Sequence, residues 1–113
     1  MNKYLRMEDG RQLALDEHGH LENACDWSPE VAMRMAILDG IELSDVHWLL
    51  LELFQAYHRD YEIEPPMRIL VRTLKEKGRD DEANSLTLYR LFPEGPARQG
   101  SRYAGLPLPV SCI

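Results

Sequence analysis

Apolar residues recur at two different spacings along this sequence, and the spacing predicts which segments are strands and which are helices. Near the N-terminus, Tyr4 to Met7 and Arg11 to Leu15 alternate weakly and flank Asp9-Gly10, a strong turn signal. A third short strand near Leu21 is expected after a second turn. The first segment of the chain therefore predicts a β-hairpin over about residues 4–24.

From residue 28 onwards, apolar residues return every three or four positions, which is typical of amphipathic helices and predicts a helical core over about residues 28–104. Proline, capping residues and glycine mark where the helices begin and end. The expected helices run from Pro29 to Asp39, from Ser44 to about Asp60, from Pro66 to Gly78, from Ser85 to Leu91 and from Ala97 to Ala104. The widest apolar stripe lies in the second helix, at Trp48, Leu51, Phe54 and Tyr57, which predicts that this helix is the centre of the core.

The last nine residues differ in composition from the helices before them. Pro107 and Pro109 follow Gly105 at alternate positions, and each proline fixes φ and lacks a backbone N–H group. Such a sequence favours an extended course, and its eight residues beyond the glycine can reach roughly 25 Å at ~3.3 Å each. The sequence thus predicts one domain over residues 1–104 and a mobile C-terminal arm over residues 105–113.

The composition is ordinary for a globular protein, but the charge is divided unevenly along the chain. The 113 residues are 44% hydrophobic and 28% charged, enough for one domain with a modest core. The net charge is −6, of which residues 1–64 carry −9 and residues 65–113 carry +3. An acidic body disfavours direct binding to nucleic acid, whereas the basic half suits an anionic partner.

Neither a secretory signal nor a membrane-spanning segment is expected. The first residues are not followed by a hydrophobic stretch, and the longest apolar run, Trp48 to Leu51, is far shorter than the ~18 residues that a membrane span needs. The two cysteines, Cys25 and Cys112, are fewer than a small secreted disulfide scaffold would carry. A cytoplasmic protein with two free thiols is expected.

Cys112, the next-to-last residue of the sequence, is the first candidate for chemistry. A thiol at that place is poorly positioned for packing and well positioned for presentation, although an inert tail residue is the alternative interpretation. Only the thiolate is reactive, a free cysteine has a pKa of about 8.5, and a neighbouring carboxylate disfavours its ionisation. Arg98 and Arg102, four residues apart on the last helical segment, could supply the activating positive charge. A solvated basic face is the other interpretation of these two arginines.

The remaining candidate residues have simpler interpretations. Cys25 is expected to be a partly buried, inert thiol just before the first helix. His18 and His20 form a His-x-His pair, but a metal site would need further ligands, so neither a metal nor a cofactor is expected. His47 and His58 are expected to be surface or partly packed histidines of the second helix.

Several short motifs occur together, in order, from about Leu21 to the C-terminus. The longest are Leu91-Phe92-Pro93-Glu94-Gly95-Pro96-Ala97-Arg98-Gln99 and Ala104-Gly105-Leu106-Pro107, which are followed by Cys112. The others are Asp26-Trp27-Ser28, Gly40-Ile41-Glu42-Leu43 with His47-Trp48, Pro66-Met67-Arg68-Ile69-Leu70-Val71, Asn84-Ser85 and Leu88-Tyr89. This combination is specific, and with it the chain resembles the DsrC/TusE family of sulfur-trafficking proteins.

The resemblance implies an α+β, mainly α fold: a small helical domain with a helix-turn-helix-like core, an N-terminal β-hairpin and a flexible C-terminal arm. It also implies that Cys112 carries sulfur as a persulfide. Family members that serve sulfite reduction or sulfur oxidation have a second cysteine eleven positions earlier, where this chain has Ser101. The resemblance therefore implies a single-cysteine, TusE-like sulfurtransferase. Such a protein takes sulfur from a TusBCD-like donor complex and passes it to an MnmA-like, tRNA-bound thiouridylase for 2-thiolation of the wobble uridine.

Three other functions remain open on the sequence alone. One is a DsrC-like partner of sulfite reductase or of sulfur oxidation. Another is a helix-turn-helix DNA-binding regulator, in which the third helix would present Arg68, Arg72, Lys75 and Lys77 to DNA. The third is an interaction module that forms no persulfide.

Overall fold

The structure, a computed structural model, describes residues 3–109. Within that range an antiparallel hairpin precedes five α-helices, which confirms the predicted α+β, mainly α fold class. The elements are β1 (Lys3–Arg6), β2 (Gln12–Leu15), α1 (Pro29–Leu38), α2 (Asp45–Tyr61), α3 (Met67–Glu76), α4 (Ser85–Leu91) and α5 (Pro96–Tyr103). Two single 3-10 turns, Ala24–Asp26 and Asp80–Glu82, were not expected from the sequence. None of the described helices is both long and apolar enough to span a lipid bilayer.

The hairpin places one apolar side chain of each strand on the core. Leu5 of β1 pairs with Leu13 of β2, and both side chains are buried, as the alternation of a half-buried strand requires. The strands reverse at Gly10, whose φ of 92° lies in the left-handed region. The third strand expected near Leu21 is a single bridge to Leu15.

The core forms where α5 packs against α2, α1 and α4. Leu50, Leu51 and Phe54 of α2 are buried, whereas Trp48 and Tyr57 from the same predicted stripe are only half-buried. Phe54 packs directly on the backbone of α5, because a Cβ atom at Gly100 would lie 2.5 Å from Phe54 Cε2. Gly100 therefore allows α5, and the segment that follows it, to lie directly on the central helix.

Three helices end in the same glycine cap. Gly40 after α1, Gly78 after α3 and Gly105 after α5 have φ values of 75°, 75° and 79°, a conformation that glycine adopts without a steric penalty. In each case the next residue donates its backbone N–H group to a carbonyl in the last turn of the helix, over 2.8 Å from Ile41, 2.8 Å from Arg79 and 2.9 Å from Leu106. The chain thus leaves α5 in a fixed direction.

The start of α2 is fixed by a histidine that the sequence predicted to be at the surface or partly packed. His47 is only 4% exposed, which makes that expectation wrong. Its Nδ1 atom accepts the Ser44 backbone N–H group over 3.0 Å, and Nε2 bonds to the Leu91 carbonyl over 2.8 Å. Because each ring nitrogen has a fixed partner, the imidazole ties the first turn of α2 to the end of α4.

Candidate functional site at the root of the C-terminal arm

The predicted reactive residue, Cys112, lies outside the described residues, which end at Pro109. The first part of the predicted arm, residues 105–109, lies within them. Gly105 and Pro109 are buried and Leu106 is half-buried. We call residues 105–109 the arm root, after the predicted arm, and the structure describes these residues and the side chains that hold them.

Three side chains from distant parts of the sequence donate hydrogen bonds to the backbone at this root. We call Trp27, Gln55 and His20 the arm-root clamp. The distances are 2.8 Å from Trp27 Nε1 to the Tyr103 carbonyl, 2.9 Å from Gln55 Nε2 to the Ala104 carbonyl and 2.8 Å from His20 Nδ1 to the Leu106 carbonyl. The first two acceptors are end carbonyls of α5, which have no partner within the helix, so the clamp satisfies groups that the helix leaves unpaired.

The clamp also holds the root by direct packing. A Cβ atom at Gly105 would lie 2.5 Å from Cδ1 of the Trp27 ring, so the backbone of Gly105 is in contact with the indole. A side chain at residue 105 would therefore displace the ring that donates to Tyr103. The resemblance motifs contain both Trp27 and Gly105, but no spacing or motif predicts the contact between them.

His20 is fully buried, and only one of its ring nitrogens has a partner. Since the Leu106 carbonyl can only accept, Nδ1 carries the proton, and Nε2 is buried without a hydrogen bond. Burial lowers the pKa of His20 below its ordinary value of 6.5, and the Leu106 carbonyl and the Asp16 carboxylate oppose that shift only in part. The ring is held neutral. The His-x-His motif thus separates into an exposed His18 and a buried His20, and the described residues contain no group of three metal-ligating side chains.

The arm root covers a small cavity beside Ser101. This cavity, of about 40 Å³, is lined by Ser101, by residues 106–109 and by His58, Glu62 and Ile63 around the end of α2. Ser101 is 1% exposed. The residue that stands in place of the family's second cysteine is therefore buried under the root of the arm.

The two candidate arginines of α5 have different environments. Arg102 forms an ion pair with Asp39 and a longer one, at 3.4 Å, with Glu94, and only 14% of its side chain is exposed. Arg98 is exposed and has no ion pair within residues 3–109. It lines a larger cavity of about 620 Å³ between α5 and the start of α3. Among the described residues, Arg98 rather than Arg102 therefore has a guanidinium group that no carboxylate engages.

Arg102 belongs to a partly buried polar network that the sequence did not reveal, in which Tyr103 and Gln99 are buried and Asp39 lies at the surface. The Tyr103 hydroxyl donates to the Asp39 carboxylate over 2.6 Å and accepts from Gln99 Nε2 over 3.0 Å. Burial, followed by the Asp39 carboxylate, raises the pKa of Tyr103 far above its ordinary value, so the hydroxyl keeps its proton. Asp39 had looked like a simple helix end, because its partners lie more than 60 residues away.

Cys25 is exposed, which corrects the expectation of a partly buried thiol. It lies in the 3-10 turn Ala24–Asp26, where the Asn23 side chain accepts its backbone N–H group over 3.0 Å. An Asn at that position is a turn signal that could have placed the cysteine at the surface. Any experiment on Cys112 therefore needs Cys25 removed.

Comparison with known proteins agrees with this architecture. The protein family described as DsrC like protein matches residues 7–113. A Sulfurtransferase TusE from Yersinia pseudotuberculosis is 40% identical over 105 residues, which are 93% of this chain and 97% of the relative.

Two solved structures share the fold over nearly the whole chain. The DsrC structure from Allochromatium vinosum matches with a TM-score of 0.81 and 42% identity, covering 100% of both chains. The oxidized gamma-subunit of the dissimilatory sulfite reductase (DsrC) from Archaeoglobus fulgidus matches with a TM-score of 0.84 and 35% identity, covering 98% of this chain and 100% of the other. By sequence and by structure, this chain belongs to the DsrC-like protein family.

Proposed function

We propose that this protein is a sulfurtransferase that carries sulfur as a persulfide on Cys112. The observation that carries the proposal is the likeness to relatives named Sulfurtransferase TusE, one of which is 40% identical and is covered over 97% of its length by this chain. The family match extends to residue 113 and so includes Cys112. The arm-root clamp supports the same function, because a carrier thiol needs a segment of defined origin that projects from a folded body.

The transfer chemistry needs only one cysteine. The Cys112 thiolate attacks the outer sulfur of a donor persulfide, a new S–S bond forms, and the S–S bond of the donor breaks. The inner sulfur of the donor leaves as a thiolate with the electron pair, so the exchange requires no external oxidant or reductant. A thiolate on the acceptor protein then repeats the step on the persulfide of Cys112.

Ser101 favours a relay between proteins over an internal bridge. A serine cannot form a disulfide or trisulfide with Cys112, so sulfur carried there must pass outward. We infer that the donor is a TusBCD-like complex and that the acceptor is an MnmA-like thiouridylase acting on tRNA. The relatives named Sulfurtransferase TusE support this inference.

Arg98 is the arginine that we assign to the sulfur chemistry. It is exposed and has no ion pair within the described range, whereas Arg102 is engaged by Asp39 and Glu94. A guanidinium near a thiol or persulfide stabilises the anion and lowers its pKa. The pH dependence of Cys112 alkylation tests this role: Arg98→Gln should shift the midpoint upward, and an unchanged midpoint would remove Arg98 from the assignment.

Mass spectrometry tests the central proposal. In a Cys25→Ser background, incubation with a persulfide donor should add one sulfur atom to Cys112, and reduction should remove it. The matched variant Cys112→Ser should remain folded and gain no sulfur. If the Cys112→Ser protein still accepts sulfur, or if the Cys25→Ser protein accepts none, the carrier function is wrong.

A second candidate function is partnership with a sulfite reductase. It is favoured by the similarity to the gamma-subunit of the dissimilatory sulfite reductase from Archaeoglobus fulgidus. To distinguish the two functions, the protein carrying labelled persulfide sulfur on Cys112 is incubated in separate reactions with a purified thiouridylase and tRNA, and with a purified sulfite reductase. Transfer of labelled sulfur to tRNA supports the relay, and transfer only with the reductase overturns it.

DNA binding has one observation in its favour. The cations of α3, Arg68, Arg72 and Lys75, are exposed, and five residues separate this helix from α2. The net charge of −6 opposes binding to a phosphate backbone. Absence of DNA binding at low salt would exclude this function.

A further inference from the structure

One face of the molecule exposes apolar side chains that the core does not use. Met33 and Ile37 of α1 are 42% and 58% exposed and lie one turn apart on the helix. The buried face of α1 consists of the intervening Val31, Ala32, Met35 and Ala36. This helix is therefore apolar on two sides, and its outer side lacks a partner within the described chain.

The exposed side chains join three neighbouring cavities into one surface. A cavity of about 370 Å³ between the hairpin and α1 and a second of about 210 Å³ between α1 and the start of α2 share Met33 and Ile37. A third of about 370 Å³ shares Trp48 with the second and also contains Trp27. We call Met33, Ile37, Trp48 and Trp27 the apolar band. The apolar band runs along α1, whose ten residues span about 15 Å. It ends at the Trp27 indole, which donates to the Tyr103 carbonyl.

The rim of the band is acidic. Two cations also line the cavities, Arg11, which pairs with Asp9 over 2.8 Å, and Arg34, which keeps its charge while Nε donates to the Arg6 carbonyl over 2.8 Å, so carboxylates outnumber cations by five to two. The carboxylates that line the three cavities are Glu8, Asp9, Glu30, Glu42 and Glu52. Such a rim repels phosphate groups and anionic lipid and attracts lysine and arginine.

We propose that the apolar band is a docking surface for a basic amphipathic helix of a partner protein. The apolar side of that helix would lie over Met33 and Ile37 between the flanking cavities, and its lysines or arginines would reach the carboxylates of the rim. This surface is separate from the basic α3 face, and it ends on Trp27, so an occupied band lies beside the arm-root clamp. The proposal goes beyond sulfur transfer, since docking does not involve the thiol of Cys112.

Intrinsic fluorescence tests the proposal directly, because Trp27 and Trp48 are the only two tryptophans of the sequence and both line the band. The full chain carrying Cys112→Ser is titrated with a helical peptide of leucine and lysine of about 14 residues, and with the same peptide carrying glutamate for lysine. The lysine peptide should bind and change the emission, and added salt should weaken its binding. The glutamate peptide should not bind.

Matched variants locate the binding site. Ile37→Asn removes an exposed apolar side chain without changing the charge and should weaken binding of the lysine peptide at least about fivefold. Leu86→Asn makes the same kind of change at an equally exposed position on α4 and should leave affinity within about twofold. Glu8→Gln with Glu42→Gln should weaken binding more than Asp60→Asn with Glu76→Gln, which removes two charges elsewhere.

Three results would overturn the proposal. Equal binding of the two peptides would show that the acidic rim does not select the partner. Equal effects of Ile37→Asn and Leu86→Asn would show that the band is not the site. If sedimentation shows that the chain self-associates and that Ile37→Asn abolishes the association, the occupant is a second copy of this chain.

Discussion

Replacing Gly105 with alanine should destabilise the protein through two separable effects. The first is conformational, because residue 105 has a φ of 79°, where a non-glycine residue costs roughly 1–2 kcal/mol. The second is steric, because the new Cβ atom would lie 2.5 Å, 2.6 Å and 2.8 Å from three atoms of Trp27. Forcing an extra methyl group into packed surroundings typically costs 1–3 kcal/mol, so the total is about 2–5 kcal/mol.

Gly40→Ala is the matched control for the conformational effect. Gly40 caps α1 with the same hydrogen-bond pattern and a φ of 75°, but no atom lies within 4 Å of a Cβ added there. It should cost only the conformational ~1–2 kcal/mol. The difference between the two variants, about 1–3 kcal/mol, therefore measures the contact between residue 105 and the Trp27 ring.

Urea unfolding followed by circular dichroism gives both free energies of unfolding without relying on tryptophan emission. In the Gly105→Ala protein, the indole N–H resonance of Trp27 should also move, since its hydrogen bond to the Tyr103 carbonyl is displaced. Equal losses of stability in the two variants, with an unmoved indole resonance, would refute the packing argument and show that the ring does not hold the arm root.

Three further predictions concern the clamp and its surroundings. His20→Asn keeps a donor near the Leu106 carbonyl but cannot titrate. Because the folded protein holds the pKa of His20 below its ordinary value of 6.5, the unfolded chain binds the proton more readily as the pH falls. As the pH drops below about 6.5, the wild type should therefore lose up to about 1.4 kcal/mol more unfolding free energy per pH unit than the variant. Urea unfolding at several pH values measures both proteins, and an equal dependence of their unfolding free energies on pH would contradict the buried neutral ring. Arg102→Gln should lower the unfolding free energy by about 1–3 kcal/mol, because it leaves Asp39 without its ion pair. Arg98→Gln, at an exposed position, should change the unfolding free energy by no more than about 0.5 kcal/mol, and equal losses in the two variants would argue against the network. Asn84→Ala should cost about 1 kcal/mol, because its side chain caps α4 by accepting the Thr87 N–H group over 2.8 Å, and an unchanged unfolding midpoint would show that this cap is dispensable.

The elements of the fold were predictable because their signals are local. Pro29 and Gly40 bracket α1 as expected, and the Asp9-Gly10 turn places the hairpin correctly. Ser28 stands at the predicted cap position of α1 but makes no capping hydrogen bond to the backbone. The 3-10 turn around Cys25 also had a local signal in Asn23, so the exposure of this thiol was within reach of sequence reasoning.

The arm root was not predictable in the same way. His20 meets Leu106 across 86 residues, and Tyr103 meets Asp39 across 64. Neither hydrophobic periodicity nor a helix cap predicts contacts between residues so far apart in the sequence, because these contacts depend on how the helices pack. For that reason the His-x-His pair gave no indication that His20 is buried against residue 106, and Asp39, which looked like a helix end, proved to be part of a partly buried network. The assignment of Cys112 came from family resemblance and remains a prediction.

The arm-root clamp has a consequence for the order in which the molecule folds. Its three hydrogen bonds join residues separated by 86, 76 and 49 positions. Closing such long loops is entropically costly, and contacts of this kind form after local helices and turns. The root is therefore assembled only when the hairpin turn, the approach to α1 and the middle of α2 have all reached their native places. Refolding monitored at the Trp27 indole, which donates to the Tyr103 carbonyl, should therefore lag behind the gain of helix measured by circular dichroism.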